Sequence, residues 1–105
     1  MRRILVTGAN KGIGLAIAKA ILEQHDDTFV YLGSRDLERG RAAAATLERE
    51  VPGARGRIEV VALDVADDRS VTEAAAAVAA SCRGEKLHGL VNNAGVGTGA
   101  SLADM

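Results

Sequence analysis

The sequence comprises 105 residues, enough for one small domain, and its balance of 48% hydrophobic and 26% charged residues is that of a soluble globular chain. The formal net charge of -1 gives no overall bias toward nucleic acid, and no apolar run approaches the roughly 18 residues that cross a bilayer. Cys82 is the single cysteine, so an internal disulfide is excluded. We therefore expect a cytoplasmic protein with neither a nucleic acid nor a membrane as partner.

The first half of the chain alternates strand and helix patterns. Residues 4–6 form a short apolar run that predicts a buried strand, and apolar residues then recur at helical spacing over residues 13–21. Residues 28–32 are β-branched and aromatic, which predicts a second strand. Asp36 can cap a second helix that runs to about Glu50.

The second half repeats this alternation. Residues 58–63 predict a third strand, and either Asp67 or Asp68 can cap an Ala-rich third helix. Gly84 stands where the C-terminal cap of that helix is expected. Residues 87–91 predict a fourth strand, after which the chain becomes Gly-rich.

The element order is therefore βαβαβαβ. Nearly continuous apolar strands that alternate with amphipathic helices imply a parallel sheet covered on both faces. Right-handed crossovers then favour an α/β fold of the Rossmann-like, doubly wound type, with strand order 3-2-1-4.

A glycine-rich turn joins the first strand to the first helix, with the sequence TGANKGIG at residues 7–14. A helix N-terminus offers free N–H groups and the positive end of the helix dipole, and a phosphate can approach closely where side chains are absent. Gly8, Gly12 and Gly14 meet this need, although their G-x-x-x-G-x-G spacing differs from G-x-G-x-x-G and no P-loop ending follows. The alternative is a glycine-rich turn that holds no ligand.

The end of the second strand bears on the choice of dinucleotide. NAD-binding folds of this type place an acid there, which accepts a hydrogen bond from the ribose 2′-hydroxyl. Here Ser34 takes that place, Arg35 follows it, and Lys11 lies in the glycine turn. Two cations without an acid suit a 2′-phosphate, so we predict NADP (NADPH) as cofactor. The alternatives are that both cations are solvated surface charges, or that Asp36 is the acid after a register shift of one residue.

The motif TGANKGIG closely resembles the TGxxxGxG motif of the short-chain dehydrogenase/reductase family, and NNAG at residues 92–95 resembles that family's NNAG motif. The Ser34-Arg35 pair is most similar to the carbonyl-reductase branch. The resemblance implies that the glycine turn holds the pyrophosphate and adenosine ribose, that Asp64 accepts from the adenine amino group, and that Val65 offers its amide to the ring. The asparagines are expected to tie strand ends together. The candidate cofactor-binding residues are Gly8, Asn10, Lys11, Gly12, Ile13, Gly14, Arg35, Asp64, Val65, Asn92, Ala94 and Gly95.

The family's chemistry uses a Ser and a Tyr-x-x-x-Lys pair, and this sequence contains neither in that arrangement. Its one tyrosine, Tyr31, falls in the second predicted strand and is followed four residues later by Arg35. The resemblance implies hydride transfer between NADPH and a carbonyl substrate in a complete enzyme, whereas residues 1–105 are expected to form a single, partial NADP-binding domain without turnover.

Two other interpretations stay open: a non-catalytic nucleotide-binding or regulatory chain, and an unstable fragment. The fourth strand would leave an apolar sheet edge exposed, which invites self-association. His25 and His88 have no partners at metal-ligand spacing, so we expect no metal site.

Overall fold

A computed structural model describes residues 2–83 and 85–93, which form a parallel sheet and the helices that cover it. In chain order the elements are β1 (Arg2–Thr7), α1 (Gly12–Gln24), β2 (Thr28–Ser34), α2 (Leu37–Glu50), β3 (Ile58–Ala62), α3 (Asp68–Cys82) and β4 (Gly89–Asn92). The four strands lie in the order β3-β2-β1-β4, and each neighbouring pair is parallel. The predicted element order and strand order are both confirmed.

The two faces of the sheet carry separate apolar clusters. Helices α1 and α2 pack on one face, where Leu22 and Leu47 meet Val30 of the central strands. Helix α3 covers the other face, and its Ala74 and Val78 belong to a cluster with strand and loop residues. Because helices lie on both faces of a parallel sheet, the predicted doubly wound arrangement is confirmed.

Several predicted boundaries were wrong by one or two residues. Strand β4 begins at Gly89 rather than at residue 87, because its pairing with β1 starts where Gly89 lies opposite Ile4. Strand β3 ends at Ala62, one residue before the predicted end at residue 63. The cap of α3 is Asp67, whose carboxylate accepts from the N–H groups of Arg69 and Ser70. Gly84, predicted to end that helix, lies outside the described residues.

Tyr31, the one tyrosine, is fully buried beneath α3. Its hydroxyl accepts from the guanidinium of Arg3 at 2.7 Å and donates to the hydroxyl of Ser81 at 2.9 Å. The Arg3 guanidinium also lies over the ring of Phe29, 4.9 Å from its centroid. Burial raises the pKa of Tyr31 above that of a free phenol. This side chain therefore fastens α3 to the sheet in its neutral form.

Arg57, which no sequence motif singled out, is 8% exposed. Its guanidinium donates to the carbonyl oxygens of Thr28, Leu22 and His25. Leu22 and His25 belong to the end of α1, where helical carbonyls have no partner within the helix. Arg57 therefore caps the C-terminus of α1 and links it to Thr28, the first residue of β2. These residues lie at the edge of the sheet opposite the glycine turn.

Candidate functional site

The glycine turn lies at the carboxyl edge of the sheet, between β1 and α1. Gly8 and Gly12 have φ angles of 58° and 61°, in the left-handed region that glycine adopts without a steric cost. Helix α1 begins at Gly12, its cap residue Lys11 makes no side-chain capping bond, and its first turn carries no acid. The first amides of α1 are thus offered without a competing carboxylate, which is the arrangement that binds an anion.

Gly14 is required for a different reason, a close approach between chain segments. A Cβ atom at Gly14 would lie 2.3 Å from the carbonyl oxygen of Gly8 and 2.8 Å from the Nδ2 atom of Asn93. Helix α1 can therefore lie directly against the turn only because this position has no side chain. The third glycine of the motif therefore sets how closely α1 approaches the turn.

Polar side chains tie the end of β1 to the end of β4. The hydroxyl of Thr7 donates to Oδ1 of Asn92 at 2.8 Å and accepts from the backbone N–H of Asn93 at 2.9 Å. The side-chain amide of Asn93 in turn donates to the carbonyl oxygen of Gly8 at 3.3 Å. The asparagines have the structural role expected of them. Ala94 and Gly95, the rest of that motif, lie outside the described residues.

The end of β2 is followed by an exposed arginine and by an aspartate that caps the next helix. Ser34 is buried, and its hydroxyl donates to the carbonyl oxygen of Asp36 at 2.8 Å. The carboxylate of Asp36 caps α2, where it accepts from the N–H groups of Glu38 at 2.9 Å and Arg39 at 3.2 Å. Both amides use Oδ1 of Asp36, the acid of the register-shift alternative, and its side chain is exposed. Arg35 lies exposed between these two residues.

The end of β3 lies beside the end of β2. The N–H of Leu63 donates to the carbonyl oxygen of Ser34 at 2.9 Å, and the half-buried Asp64 and Val65 follow. The N–H of Ala66 donates to Oδ1 of Asp64 at 3.0 Å, so the carboxylate is held by its own loop.

The sequence-predicted residues within the described ranges thus meet at one edge of the sheet, on the segments that follow β1, β2 and β3 and at the end of β4. Lys11 and Ile13 are exposed beside the glycine turn, and Asn10 is half-buried. Ile13 is 64% exposed, which leaves a large apolar surface in water next to the glycine turn.

Two residues of this edge were missed as functional candidates. Thr7 stands in the motif, but its role depends on Asn92 and Asn93, which lie far along the chain. Ser70 is the other, and its hydroxyl accepts from the N–H of Asp64 at 2.8 Å. Its position six residues after a strand-ending aspartate was the only sequence signal for it.

In the part of the chain that the structure describes, no cluster of three or more His, Cys, Asp or Glu side chains could hold a metal ion. None of the described helices combines the length and apolar character needed to cross a bilayer.

Comparison with known proteins decides the family. Residues 2–105 match the model for short chain dehydrogenases. The chain belongs to the short-chain dehydrogenase family. Among family members, it is 44% identical over 95 residues to (-)-isopiperitenone reductase from Mentha piperita, covering 90% of this chain and 29% of that enzyme. It is 34% identical over 102 residues to the short-chain dehydrogenase/reductase tropE from Talaromyces stipitatus, covering 97% of this chain and 38% of that protein.

Solved structures of short-chain dehydrogenases share the fold. Menthone neomenthol reductase from Mentha piperita matches with a TM-score of 0.75 and 41% identity, covering 90% of this chain and 32% of that one. The NADPH-bound carbonyl reductase from chicken fatty liver matches with a TM-score of 0.76 and 34% identity, covering 91% of this chain and 35% of that one. The chain thus spans about a third of the length of the family members it matches, and carbonyl-reductase-like enzymes are among them.

Proposed function

We propose that this chain is the NADP(H)-binding part of a short-chain dehydrogenase that transfers hydride between NADPH and a carbonyl substrate. The observation that carries the proposal is the end of β2, where Ser34 is buried, Arg35 is exposed and Asp36 is occupied as a helix cap. A ribose 2′-phosphate would find a cation there, and the nearby acid, Asp36, directs Oδ1 to the amides of α2. The similar chicken liver enzyme is described as NADPH-bound, and a similar L-sorbose reductase from Gluconobacter frateurii as complexed with NADPH and L-sorbose.

The described residues fit such a cofactor. The N-terminal amides of α1 would hold the pyrophosphate. The helix begins at Gly12, and Gly14 has no side chain to block the approach to the turn. Arg35 and Lys11 would bind the 2′-phosphate, and Asp64 and Val65 the adenine. The remaining proposed contacts come from Gly8, Asn10, Ile13, Asn92, Ala94 and Gly95. When bound, the nicotinamide would supply the hydride, and the protein would orient it.

The substrate chemistry needs residues other than those placed here. Tyr31 is buried beneath α3 and hydrogen-bonded to Arg3 and Ser81, so it does not reach the carboxyl edge. We therefore propose residues 1–105 as one partial, NADP-binding domain that gives no turnover alone. A non-catalytic nucleotide-binding chain is the alternative that the same buried tyrosine favours.

We also propose a cytoplasmic protein, and self-association at the β4 edge of the sheet, where the Leu90 side chain is 47% exposed.

The test is dinucleotide binding by fluorescence titration of the chain and of Arg35→Ala. Loss of charge-assisted hydrogen bonds should weaken NADPH binding by about ten- to a hundredfold and leave NADH binding unchanged. Arg55→Ala is the matched control, because Arg55 is an exposed arginine that pairs with Glu48 at 3.7 Å and lies between α2 and β3, at the sheet edge opposite the glycine turn. Tighter binding of NADH than of NADPH by the unaltered chain would contradict the proposal.

A companion variant separates the helix cap from cofactor choice. Asp36→Ala removes the acceptor of two N–H groups of α2 and should lower the free energy of unfolding by about 1 kcal/mol. The ratio of NADPH to NADH affinity should stay as it was, because the Asp36 carboxylate is assigned no contact with the ribose. Urea denaturation and the same titrations measure both quantities. A change in the affinity ratio would show that Asp36 faces the cofactor after all.

A further inference from the structure

The loop that joins β3 to α3 is held by hydrogen bonds at successive peptide groups. The N–H of Leu63 donates to Ser34 of β2, which fixes the start of the loop on the sheet. The N–H of Asp67 donates to the carbonyl oxygen of Asp64 at 3.1 Å, which closes a tight turn before α3. Between these two points lie Asp64 and Val65, the residues assigned to the adenine.

Ser70 supplies a further bond from the first turn of α3. Its hydroxyl oxygen accepts from the backbone N–H of Asp64 at 2.8 Å, and the side chain is half-buried. Ser70 is itself anchored, because its own N–H donates to the Asp67 carboxylate that caps the helix. The helix therefore holds the loop through a side chain whose position the helix cap fixes.

These bonds orient two consecutive peptide planes. The plane between Leu63 and Asp64 is fixed by the bond from its N–H to Ser70. The next plane, between Asp64 and Val65, is fixed by the bond from the Asp67 N–H to its carbonyl. No cis peptide occurs in the described residues, and the N–H of a trans peptide points away from its C=O. The N–H of Val65 is therefore directed away from the Asp67 amide. Its orientation is fixed by the bond to Ser70 on the preceding peptide plane and by the bond from Asp67 on its own plane.

We propose that Ser70 is a positioning residue for cofactor binding, which holds the Asp64 amide so that Asp64 and Val65 face the adenine in one fixed orientation. This inference rests on the proposed function. Ser70 acts through the loop and not by touching the cofactor. The competing explanation is a serine that stabilises only the start of α3.

The experiment compares Ser70→Ala with Ser70→Thr, which keeps the hydroxyl, and with Thr72→Ala. Thr72 is a matched control because its hydroxyl lies in the same helix, is exposed and donates to the carbonyl of Asp68 one turn earlier. The probes are 2′,5′-ADP, which carries the adenine half alone, and NADPH and NADH, each titrated by calorimetry. Melting temperatures are recorded for every variant.

Ser70→Ala should raise the Kd for 2′,5′-ADP by about three- to tenfold, and those for NADPH and NADH by the same factor, because all three share the adenine. Ser70→Thr and Thr72→Ala should bind as the unaltered chain does. An unchanged Kd for Ser70→Ala, even with a lower melting temperature, would overturn the inference and leave the proposed function intact. Failure of the unaltered chain to bind any of the three probes would overturn both.

A measurement on the unaltered chain keeps the inference testable if Ser70→Ala does not fold. Amide exchange followed by NMR should show the Asp64 N–H protected before any ligand is added, and the Val65 amide resonance should shift when 2′,5′-ADP binds. Rapid exchange at Asp64, or a Val65 resonance that does not respond to bound 2′,5′-ADP, would contradict the positioning role.

Discussion

Replacing Gly14 with alanine is expected to lower the free energy of unfolding by about 3 kcal/mol, the upper part of the range for overpacked sites. The added Cβ would lie 2.3 Å from the carbonyl oxygen of Gly8, a backbone atom that no side-chain rotation can move aside. Helix α1 would have to withdraw from the turn, and its N-terminal amides would move with it. NADPH binding should therefore weaken by at least about tenfold as well.

Gly12→Ala is the control for this prediction. A Cβ at Gly12 would meet nothing within 4 Å, so the only structural cost is the left-handed backbone at φ +61°, about 1–2 kcal/mol for a residue with a side chain. Urea denaturation of the two variants, side by side, measures the difference. Equal losses of stability would mean that α1 can shift away from Gly8 at little cost, so that the contact with Gly8 does not explain the requirement for glycine at position 14.

Arg57→Met is the second substitution for which a large effect is expected, a loss of about 3 kcal/mol in the free energy of unfolding. The buried guanidinium donates to the carbonyls of Leu22, His25 and Thr28, and methionine fills the space without replacing those donors. The loss should appear in the midpoint of urea denaturation. NADPH affinity of the folded variant should be unchanged, since Arg57 lies at the sheet edge opposite the glycine turn proposed to bind the cofactor.

Arg57→Lys tests why the side chain must be an arginine. Lysine keeps the charge but replaces the planar fork by a single ammonium group, so it should recover only part of the lost stability. Recovery of full stability by lysine would show that charge at the end of α1 matters more than the geometry of the fork. A drop in NADPH affinity in the folded Arg57→Met variant would contradict the separation of the two edges.

The sheet and the glycine turn at its carboxyl edge were predictable because both are encoded locally. The apolar runs of β1 and β2 and the glycines that follow β1 are visible within short windows, and crossover handedness then fixes the strand order. The replacement of an acid by Ser34 at the end of β2 was equally readable. The sequence therefore predicted where each of these residues lies along the fold, but not which residue it hydrogen-bonds with.

The missed features depend on partners that the local pattern does not reveal. Arg57 reaches carbonyls that lie 29, 32 and 35 residues away, so nothing near it in the sequence marks it as buried. The start of β4 was placed early because Leu87 is apolar, whereas the strand begins where pairing with β1 begins, at Gly89 opposite Ile4. Ser70 is close to Asp64 in sequence, but its hydrogen bond exists only once the intervening loop has turned back.

The pairing of β1 with β4 has a consequence for how this chain folds as it is made. The strand made first acquires its second neighbour only when the residues of β4 have left the ribosome, and the bonds from Thr7 to Asn92 and Asn93 join residues 85 and 86 positions apart. Such distant pairing is slow, because the loop entropy is lost before the contacts form. The glycine turn is thus synthesised early, but its hydrogen bonds to Asn92 and Asn93 form late. Until then, the side of β1 that will pair with β4 is open to other strands. Chaperones can act during this interval.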